Sequence, residues 1–214
     1  MTNSNPVCSF CGKEVEPVEE YYWGELKLVV KEMHEECESL EEEYKRAGLP
    51  KIFWKDRKFD VEDGNKLAYE AISNQTPCLL MSGAGTGKTM VLVELAKNLL
   101  KQEKRCKFVN VPKLLFDLKC NFDGNSRENE TILSSLERVD NLILDDLGAE
   151  KASEWVTETI YILINSRYEN MLPTFISTNC TMPELSDRLG DRVASRLVEM
   201  CKIIKLNTKD RRLP

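Results

Sequence analysis

Residues 78–90, with the sequence CLLMSGAGTGKTM, constrain the fold more than any other part of the chain. A short apolar run leads into a glycine-rich turn that ends in Lys88 and Thr89, and a segment with apolar residues at every third or fourth position follows. A strand, a glycine-rich loop and a helix in this order form the context that a phosphate-binding P-loop requires. Glycines leave room for successive backbone N–H groups to converge on phosphate oxygens, and the helix N-terminus adds partial positive charge. The stretch therefore predicts a nucleoside triphosphate site.

The predicted P-loop gives separate roles to its backbone and its side chains. Lys88 is expected to reach the β- and γ-phosphates of ATP, and the Thr89 hydroxyl is expected to bind Mg²⁺. The usual pattern, G-x-x-x-x-G-K-[ST], has glycine where this chain has Ser82, and we expect a small residue to be tolerated there. The alternative is an ordinary glycine-rich turn before a helix. The residues predicted to hold the nucleotide here are Gly83, Ala84, Gly85, Thr86, Gly87, Lys88, Thr89 and Met90.

Two acidic residues follow a second apolar run, in the sequence NLILDDLG of residues 141–148. Asp145, at the carboxyl end of the predicted strand, is expected to hold Mg²⁺ through water as part of the nucleotide site. Asp146 is expected to polarise the water that attacks the γ-phosphate. Alone, an apolar run followed by Asp is common in α/β proteins. Downstream of a P-loop, with a strand and helices between, it indicates a Walker B strand.

Predicted strands and helices alternate along the rest of the chain. The strand at 174–179 ends in the polar residues Ser177, Thr178 and Asn179, where a γ-phosphate sensor is expected. Residues 121–130 are polar and predict a loop. The alternation predicts a parallel, doubly wound α/β sheet. Further strands are predicted at 106–111 and 203–206, and helices at 66–72, from 91, after 112 and at 153–170.

The first forty residues contain a separate set of metal ligands, in the pattern C-x2-C-x22-H-x2-C. Cys8, Cys11, His34 and Cys37 have spacings close to those of structural zinc sites, and four such ligands suit tetrahedral Zn²⁺. Because no coordination position is left open, the site is expected to stabilise a segment too small to fold alone. The alternative is that these cysteines are free thiols.

A heptad-like pattern overlaps this metal motif and predicts an acidic helix over residues 25–47. The helix is expected to end at Gly48, after Lys45 and Arg46. Its apolar seam is expected either to meet a partner protein or a second copy, or to be covered by the zinc segment. The seam consists of Leu26, Val30, Met33, Cys37, Leu40, Tyr44 and Ala47.

Composition excludes several classes of protein. The net charge of −6 argues against wrapping duplex DNA by charge alone. The sequence contains no run of about 18 apolar residues, which a membrane span would require. The N-terminus also lacks the features of a signal peptide, so a cytoplasmic location is expected. In a reducing compartment the cysteines outside the metal motif are expected to be small core residues. These are Cys78, Cys106, Cys120, Cys180 and Cys201.

Four motifs together resemble a known family. GAGTGKT, LILDDLGAE, PTFISTN and LGDRVASRL, in that order, are similar to the AAA+ ATPases of the DnaC/DnaI type, the bacterial and phage loaders of the replicative helicase. Transposon helper ATPases of the IstB kind share this core. The resemblance covers roughly residues 46–212. It implies an AAA+ P-loop NTPase core, a parallel sheet between helices, with a small N-terminal zinc-binding helical module.

The resemblance also implies roles for individual residues. Asn179 matches sensor 1, and Arg196 matches the arginine finger that reaches the ATP of a neighbouring subunit, with Arg192 as the rival for that role. Asp146 stands where many AAA+ proteins have Glu, which implies slow hydrolysis that a partner stimulates. The sequence ends at Pro214 without the helical lid of many relatives, so the resemblance implies an open site that a neighbour or the helicase closes.

The function implied by the resemblance is ATP-dependent delivery of a hexameric DnaB-type helicase to single-stranded DNA. Residues 1–48 would contact the helicase, 49–75 would connect, and 76–214 would form the ATPase core. Lys113, Lys119 and Arg127 are candidate DNA contacts, although solvated surface is the simpler account of each. The alternatives are a transposase helper ATPase and an adaptor that binds ATP without hydrolysing it.

Overall fold

The computed structural model describes residues 7–11, 13–16, 18–22, 25–29, 33–55, 66–120 and 126–206. It divides the chain into two compact units, Met1–Lys58 and Phe59–Pro214. The finer division predicted from the sequence, at residues 48 and 75, stays a prediction. Within the described ranges, no helix combines the length and the apolar character needed to cross a membrane.

The described residues of the first unit include a β-hairpin and an α-helix. Strands β1 (Val18–Tyr22) and β2 (Glu25–Val29) pair antiparallel, with Val18 opposite Val29. Helix α1 (Glu35–Ala47) has acidic residues in its first turn and basic residues in its last, which complements the helix dipole. It ends at Gly48, whose φ of 83° is in the left-handed region that a glycine adopts without strain.

The predicted helix over residues 25–47 is wrong at residues 25–29, which form β2, and α1 begins only at Glu35. Leu26 and Leu28 also fit the two-residue period of a strand, and pairing with the Val- and Tyr-containing β1 favours that period. The seam is therefore not a single helical face. Of its members, Cys37, Leu40, Tyr44 and Ala47 lie on α1, Met33 precedes the helix, and Val30 lies outside the described residues.

The end of the seam is covered within the first unit. Tyr44 packs against Phe10 and Trp54, with ring centroids 5.8 and 6.5 Å away. The indole N–H of Trp54 donates to the Leu49 carbonyl oxygen at 2.9 Å, and a short 3-10 helix, Lys51–Phe53, lies between them in the sequence. The aromatic residue that the sequence placed in a connector is thus part of this unit's core.

The second unit is an α/β fold whose strands and helices alternate as predicted. The five strands form one parallel sheet in the order β4-β5-β6-β3-β7. Its elements are α2 (Lys66–Ser73), β3 (Cys78–Met81), α3 (Lys88–Lys101), β4 (Cys106–Asn110), α4 (Val111–Cys120), α5 (Ser126–Arg138), β5 (Asn141–Asp145), α6 (Glu154–Glu169), β6 (Thr174–Thr178), α7 (Met182–Leu189), α8 (Asp191–Met200) and β7 (Lys202–Lys205).

Two local predictions in this unit are wrong. The loop predicted over 121–130 is wrong at residues 126–130, because α5 begins at Ser126, and the polar first turn of this helix hid the apolar spacing of Ile132 and Leu136 that follows. Cys120 is exposed, since it is the last residue of α4, whereas the other four cysteines predicted to be core residues are buried. The predicted absence of a helical lid stays a prediction, since residues 207–214 lie outside the described residues.

The topology decides where the functional residues meet. All residues of β3, β5 and β6 are buried, as expected for central strands of a parallel sheet. Because the three strands are parallel neighbours, their carboxyl ends lie at the same edge of the sheet. The P-loop follows β3, the acidic pair stands at the end of β5, and Asn179 follows β6.

A fully buried arginine forms hydrogen bonds at the edge of the sheet where β6 begins, opposite the nucleotide site. Arg167 of α6 donates to the carbonyl oxygens of Leu136, Val139 and Pro173 at 2.7–2.9 Å and to the Thr174 hydroxyl at 2.9 Å. Burial lowers the pKa of its guanidinium to about 10. Sequence analysis missed this residue, although it continues the buried helical spacing of Ile160, Leu163 and Ile164.

Candidate nucleotide site and metal cluster

The P-loop forms a turn between β3 and α3. Gly85 and Gly87 have φ values of 73° and 93°, a backbone conformation that residues with a Cβ rarely adopt. Around Gly83, a Cβ would meet no atom within 4 Å, so the loop is open there. The structure places Gly83, Ala84, Gly85, Thr86 and Gly87 in the turn and Lys88, Thr89 and Met90 in the first turn of α3.

Lys88 is buried inside the loop, and it contacts the predicted sensor. Its Nζ donates to the carbonyl oxygens of Ser82 and Gly83 at 2.9 and 2.7 Å, and to Asn179 Oδ1 at 2.7 Å. Asn179 follows β6 and is 91 positions away in the sequence. The structure thus joins two residues that were predicted from separate motifs.

Ser82, which stands where the usual pattern has glycine, bonds within the loop. Its hydroxyl accepts a hydrogen bond from Lys88 Nζ at 3.1 Å and pairs with the Thr86 hydroxyl. The loop therefore accommodates the serine side chain by satisfying its polar atom internally.

The two residues predicted to bind magnesium lie in contact. The Thr89 hydroxyl lies 3.1 Å from both carboxylate oxygens of Asp145, and the Ser177 hydroxyl donates to Asp145 Oδ1 at 2.6 Å. Burial raises the pKa of Asp145, as does the neighbouring charge of Asp146, while the bonds from Ser177 and Thr89 oppose the rise. Sequence analysis named Ser177 only as part of a polar strand end and gave it no role.

Asp146 has an unusual backbone conformation. Its φ of 61° is in the left-handed region, which Asp and Asn tolerate better than most other residues. Its N–H donates to Ser177 Oγ at 3.0 Å, and the next N–H, of Leu147, donates to the Ser177 carbonyl oxygen at 2.9 Å. The turn after β5 is therefore held by β6.

The same turn continues into a position that favours glycine strongly. A Cβ on Gly148 would lie 2.8 Å from Leu185 Cδ2, and the φ of Gly148 is 84°. The Gly148 carbonyl oxygen accepts from Arg188 Nη1 at 2.7 Å, and its N–H donates to the Glu150 carboxylate at 3.2 Å. The close approach of Leu185 explains the glycine at position 148, and the hydrogen bond to its N–H explains the carboxylate of Glu150.

The structure distinguishes the environments of the two candidate arginine fingers. Arg196 lies over the Tyr168 ring, 4.2 Å from its centroid, and contacts Asn165 at 3.3 Å and Glu199 at 3.9 Å. Arg192 is exposed beside a surface cavity that Tyr161 and Leu189 also line. Within the described ranges, neither arginine forms a hydrogen bond or ion pair with the P-loop or the acidic pair.

The four predicted zinc ligands lie together in the first unit. One ligand atom from each of Cys8, Cys11, His34 and Cys37 lies within 4.8 Å of the others. His34 Nδ1 is 3.5 Å from Cys11 Sγ and 3.8 Å from Cys37 Sγ, while Nε2 contacts the Glu14 carbonyl oxygen at 3.1 Å. A backbone partner on one ring nitrogen leaves the other for a metal, as in many metal sites.

The thiols of this cluster titrate unequally. Burial alone would raise the pKa of Cys8, but backbone hydrogen bonds from Cys11 and His34 outweigh it and lower the pKa to about 6. Burial and the neighbouring Cys11 and Cys8 raise the pKa of Cys37 to about 12. Three thiols with one imidazole form a ligand set that fits Zn²⁺, which binds the thiolate form of cysteine and so releases protons when it binds.

The candidate DNA contacts lie around α4. Lys113 is exposed and pairs with Asp117 at 2.6 Å, and Lys119 is exposed near the end of the helix. Phe116 lies between them and is 66% exposed. The side chain of Arg127 lies outside the described residues.

The sheet order, the P-loop after β3 and the acidic pair after β5 define a P-loop ATPase fold of the AAA+ class. Comparison with known proteins agrees, because the family model described as IstB-like ATP binding protein matches residues 56–214. The chain therefore belongs to the IstB-like ATP-binding protein family, and the resemblance and the fold predicted from the sequence are confirmed.

Individual relatives are similar over part of the chain. The chain is 31% identical over 146 residues to "Replicative helicase loader DnaI" of Bacillus subtilis, covering 61% of this chain and 45% of that protein. It is 28% identical over 113 residues to "Replicative helicase loader DnaC" of Escherichia coli, covering 53% of this chain and 46% of that protein. The crystal structure of the DnaC helicase loader matches with a TM-score of 0.59 and 25% identity, covering 71% of this chain and 94% of that one. The chain thus spans less than half the length of these two curated relatives.

Proposed function

We propose that this chain is an ATP-dependent loader that binds a hexameric DnaB-type replicative helicase and delivers it to single-stranded DNA. The proposal depends on one observation above all. The P-loop contacts the acidic pair and the sensor, through Thr89–Asp145 and Lys88–Asn179, in a chain similar to proteins named replicative helicase loaders.

The proposed ATP site uses the backbone N–H groups of residues 83–90 to bind phosphate oxygens. Lys88 would exchange the Ser82 and Gly83 carbonyl oxygens for the β- and γ-phosphates, and Asn179 would remain beside the γ-phosphate. This exchange costs little, because a contact from the ammonium group to a neutral carbonyl oxygen is replaced by one to a negatively charged phosphate oxygen. The open space around Gly83 fits an incoming phosphate group.

The Thr89 hydroxyl and the Asp145 carboxylate are the proposed holders of Mg²⁺. Both are hard oxygen donors and they already lie 3.1 Å apart, which fits the preference of Mg²⁺ for oxygen ligands. Magnesium at this place would neutralise charge on the phosphates. Asp146 would orient the attacking water, and its carboxylate arm is one methylene shorter than that of Glu. We therefore propose slow hydrolysis that a partner stimulates.

Self-association would complete the site with an arginine from a neighbouring subunit. Arg196 would have to leave the Tyr168 ring, whereas Arg192 is already exposed. Mixing subunits distinguishes them: Lys88→Ala subunits mixed with Arg196→Ala subunits should stay inactive in the shared site if Arg196 is supplied in cis, and regain ATPase activity if it is supplied in trans. The same mixture with Arg192→Ala subunits tests the rival.

We propose that the cluster of three cysteines and His34 binds a structural Zn²⁺ and that the first unit contacts the helicase. The acidic residues of α1, including Glu35, Glu38 and Glu42, are exposed and give this unit a charged surface for a basic partner. The single-stranded DNA contact is assigned to α4. The exposed Phe116 ring offers a stacking surface for a base, and Lys113 and Lys119 offer phosphate contacts.

The family description itself supports a second candidate, a transposase helper ATPase of the IstB kind. Such a protein would share the ATP site but bind duplex DNA. The net charge of −6 makes duplex binding by charge alone unfavourable.

The deciding experiment is a pull-down of the DnaB-type helicase of the same host with the tagged full-length chain, with and without ATP. Transfer of that helicase to circular single-stranded DNA is measured in parallel. The loader hypothesis expects a complex and more DNA-bound helicase, reduced in the Lys88→Ala variant and unchanged in Cys120→Ser. Duplex binding without any helicase complex would instead identify a transposition helper.

A further inference from the structure

Ser177 places a fully buried hydroxyl between the two acidic residues of the nucleotide site. It lies in β6, next to the end of β5, and is 0% exposed. Its Oγ donates to Asp145 Oδ1 at 2.6 Å and accepts from the Asp146 N–H at 3.0 Å. One side chain is thus bonded to both acids.

The directions of these two hydrogen bonds are fixed. A backbone N–H can only donate, so the Ser177 oxygen accepts from Asp146, and its single proton is left for the Asp145 carboxylate. Rotation of the Ser177 side chain about χ1 would break both bonds inside a buried site, where an unsatisfied polar group costs about 1–3 kcal/mol. The Asp145 carboxylate is therefore held in one orientation.

Ser177 differs in this respect from Thr89, the other hydroxyl at Asp145. Thr89 lies 3.1 Å from both carboxylate oxygens and belongs to the P-loop helix, so it is itself a proposed magnesium holder. Ser177 comes from the neighbouring strand, and both of its hydrogen-bonding roles are already filled by Asp145 and Asp146. Because its side chain is fully buried and its one proton is given to Asp145, we place its effect on a metal with the aspartate that it orients.

The backbone of Ser177 supports the same turn. Its carbonyl oxygen accepts from the Leu147 N–H at 2.9 Å, and the next residue, Thr178, donates its hydroxyl to the Leu147 carbonyl oxygen at 2.6 Å. Asp146, between these contacts, keeps its positive φ of 61°. Such strain persists only where surrounding bonds over-determine the conformation.

We propose that Ser177 is a positioning residue of the nucleotide site, which orients the Asp145 carboxylate for Mg²⁺ and holds the left-handed turn at Asp146. This inference rests on the magnesium site proposed above. Groups that orient a metal ligand without touching the metal typically change metal affinity by about 10- to 100-fold when they are removed.

The test compares Ser177→Ala, Ser177→Thr and the wild-type chain. Binding of a fluorescent ATP analogue is titrated against Mg²⁺ and repeated in EDTA, and Mn²⁺ binding to the nucleotide-loaded protein is followed by electron paramagnetic resonance. Ser177→Ala should raise the Mg²⁺ concentration for half-maximal binding and weaken Mn²⁺ binding by about 10-fold. Its affinity in EDTA should stay within about twofold of wild type, and Ser177→Thr, which keeps the hydroxyl, should recover most of the metal dependence.

Thr159→Val is the matched control. Like Ser177, Thr159 is buried, and its hydroxyl donates to a protein oxygen, the carbonyl oxygen of Trp155, at 2.7 Å. Unlike Ser177, it lies in α6 and does not contact the acidic residues. It should leave the metal titration unchanged. Wild-type metal dependence in Ser177→Ala overturns the inference, as does an equal loss with metal and in EDTA, which would mean that Ser177 only maintains the fold. A wild-type chain whose nucleotide binding ignores Mg²⁺ would instead contradict the proposed magnesium site itself.

Discussion

In the second unit, the side chains of the nucleotide site form hydrogen bonds with one another. In the first unit, the metal cluster brings three thiols and an imidazole within 4.8 Å of one another. The nucleotide site lies at the edge of a five-stranded sheet with a large core. The cluster lies in a short unit whose core centres on three aromatic rings. Small units of this kind usually need a metal to fold, and larger sheets do not. The first unit should therefore depend on its ligand for stability and the second should not.

Metal removal should have the largest effect, and only on the first unit. Purified protein should contain one zinc per chain, and Cys11→Ser or a strong chelator should unfold α1, because structural zinc contributes on the order of 10 kcal/mol of binding free energy. Hydrogen exchange of α1 and of β5 in the same sample measures the two units separately. Cys120→Ser, an exposed cysteine outside the cluster, should keep the zinc. Equal protection of α1 with and without zinc would contradict the comparison.

Arg167→Ala should be the strongest destabilising change in the second unit that leaves chemistry untouched. It would remove the donor from the carbonyl oxygens of Leu136 and Val139, whereas the Pro173 oxygen keeps the N–H of Leu142, at a cost on the order of 3–5 kcal/mol. Chemical denaturation followed by circular dichroism measures this cost, and the exposed Arg138→Ala is the control. Zinc content and α1 protection should not change. A loss of stability below about 1 kcal/mol would mean that water molecules donate hydrogen bonds to these carbonyl groups in place of Arg167.

Lys88→Ala should weaken ATP binding by about 100-fold or more, corresponding to about 2.7 kcal/mol, because the P-loop lysine carries the charge opposite the phosphates. The change can be followed with a fluorescent ATP analogue. Lys101→Ala, at the exposed end of the same helix, should bind like the wild type. Nucleotide binding that survived Lys88→Ala would place the ATP site elsewhere.

The smallest expected effect is a difference in stability between two variants of Asp146. Asp146→Ala should lose about 1 kcal/mol more stability than Asp146→Asn, because Asn tolerates the left-handed backbone and Ala does not. Both should lose ATP hydrolysis if Asp146 orients the water. Helicase loading that persists in Asp146→Asn would favour the adaptor that binds ATP without hydrolysing it. Equal stability of the two variants would show that the turn relaxes.

Much of the nucleotide site could be predicted from the sequence because each of its motifs is local. A glycine-rich turn before a helix and an apolar run before Asp145 each have a short pattern, and parallel strands bring their ends together. The zinc ligands were predicted for the same reason, since Cys8 with Cys11 and His34 with Cys37 form two short pairs. The helix over residues 25–47 was not, because a run of spaced apolar residues fits a strand or a helix until its pairing partner is known.

The sequence alone thus determined the class of protein, the P-loop, the acidic pair and the four residues that cluster in the first unit. Only the tertiary structure decided three sets of hydrogen bonds. Lys88 donates to Asn179, Ser177 bonds to both acidic residues, and Arg167 bonds to the residues at the start of β6. Ser177 and Asp145 are 32 positions apart, and Lys88 and Asn179 are 91 apart. A hydrogen bond between such distant residues follows from strand order and register, and neither is written in a local pattern of residues.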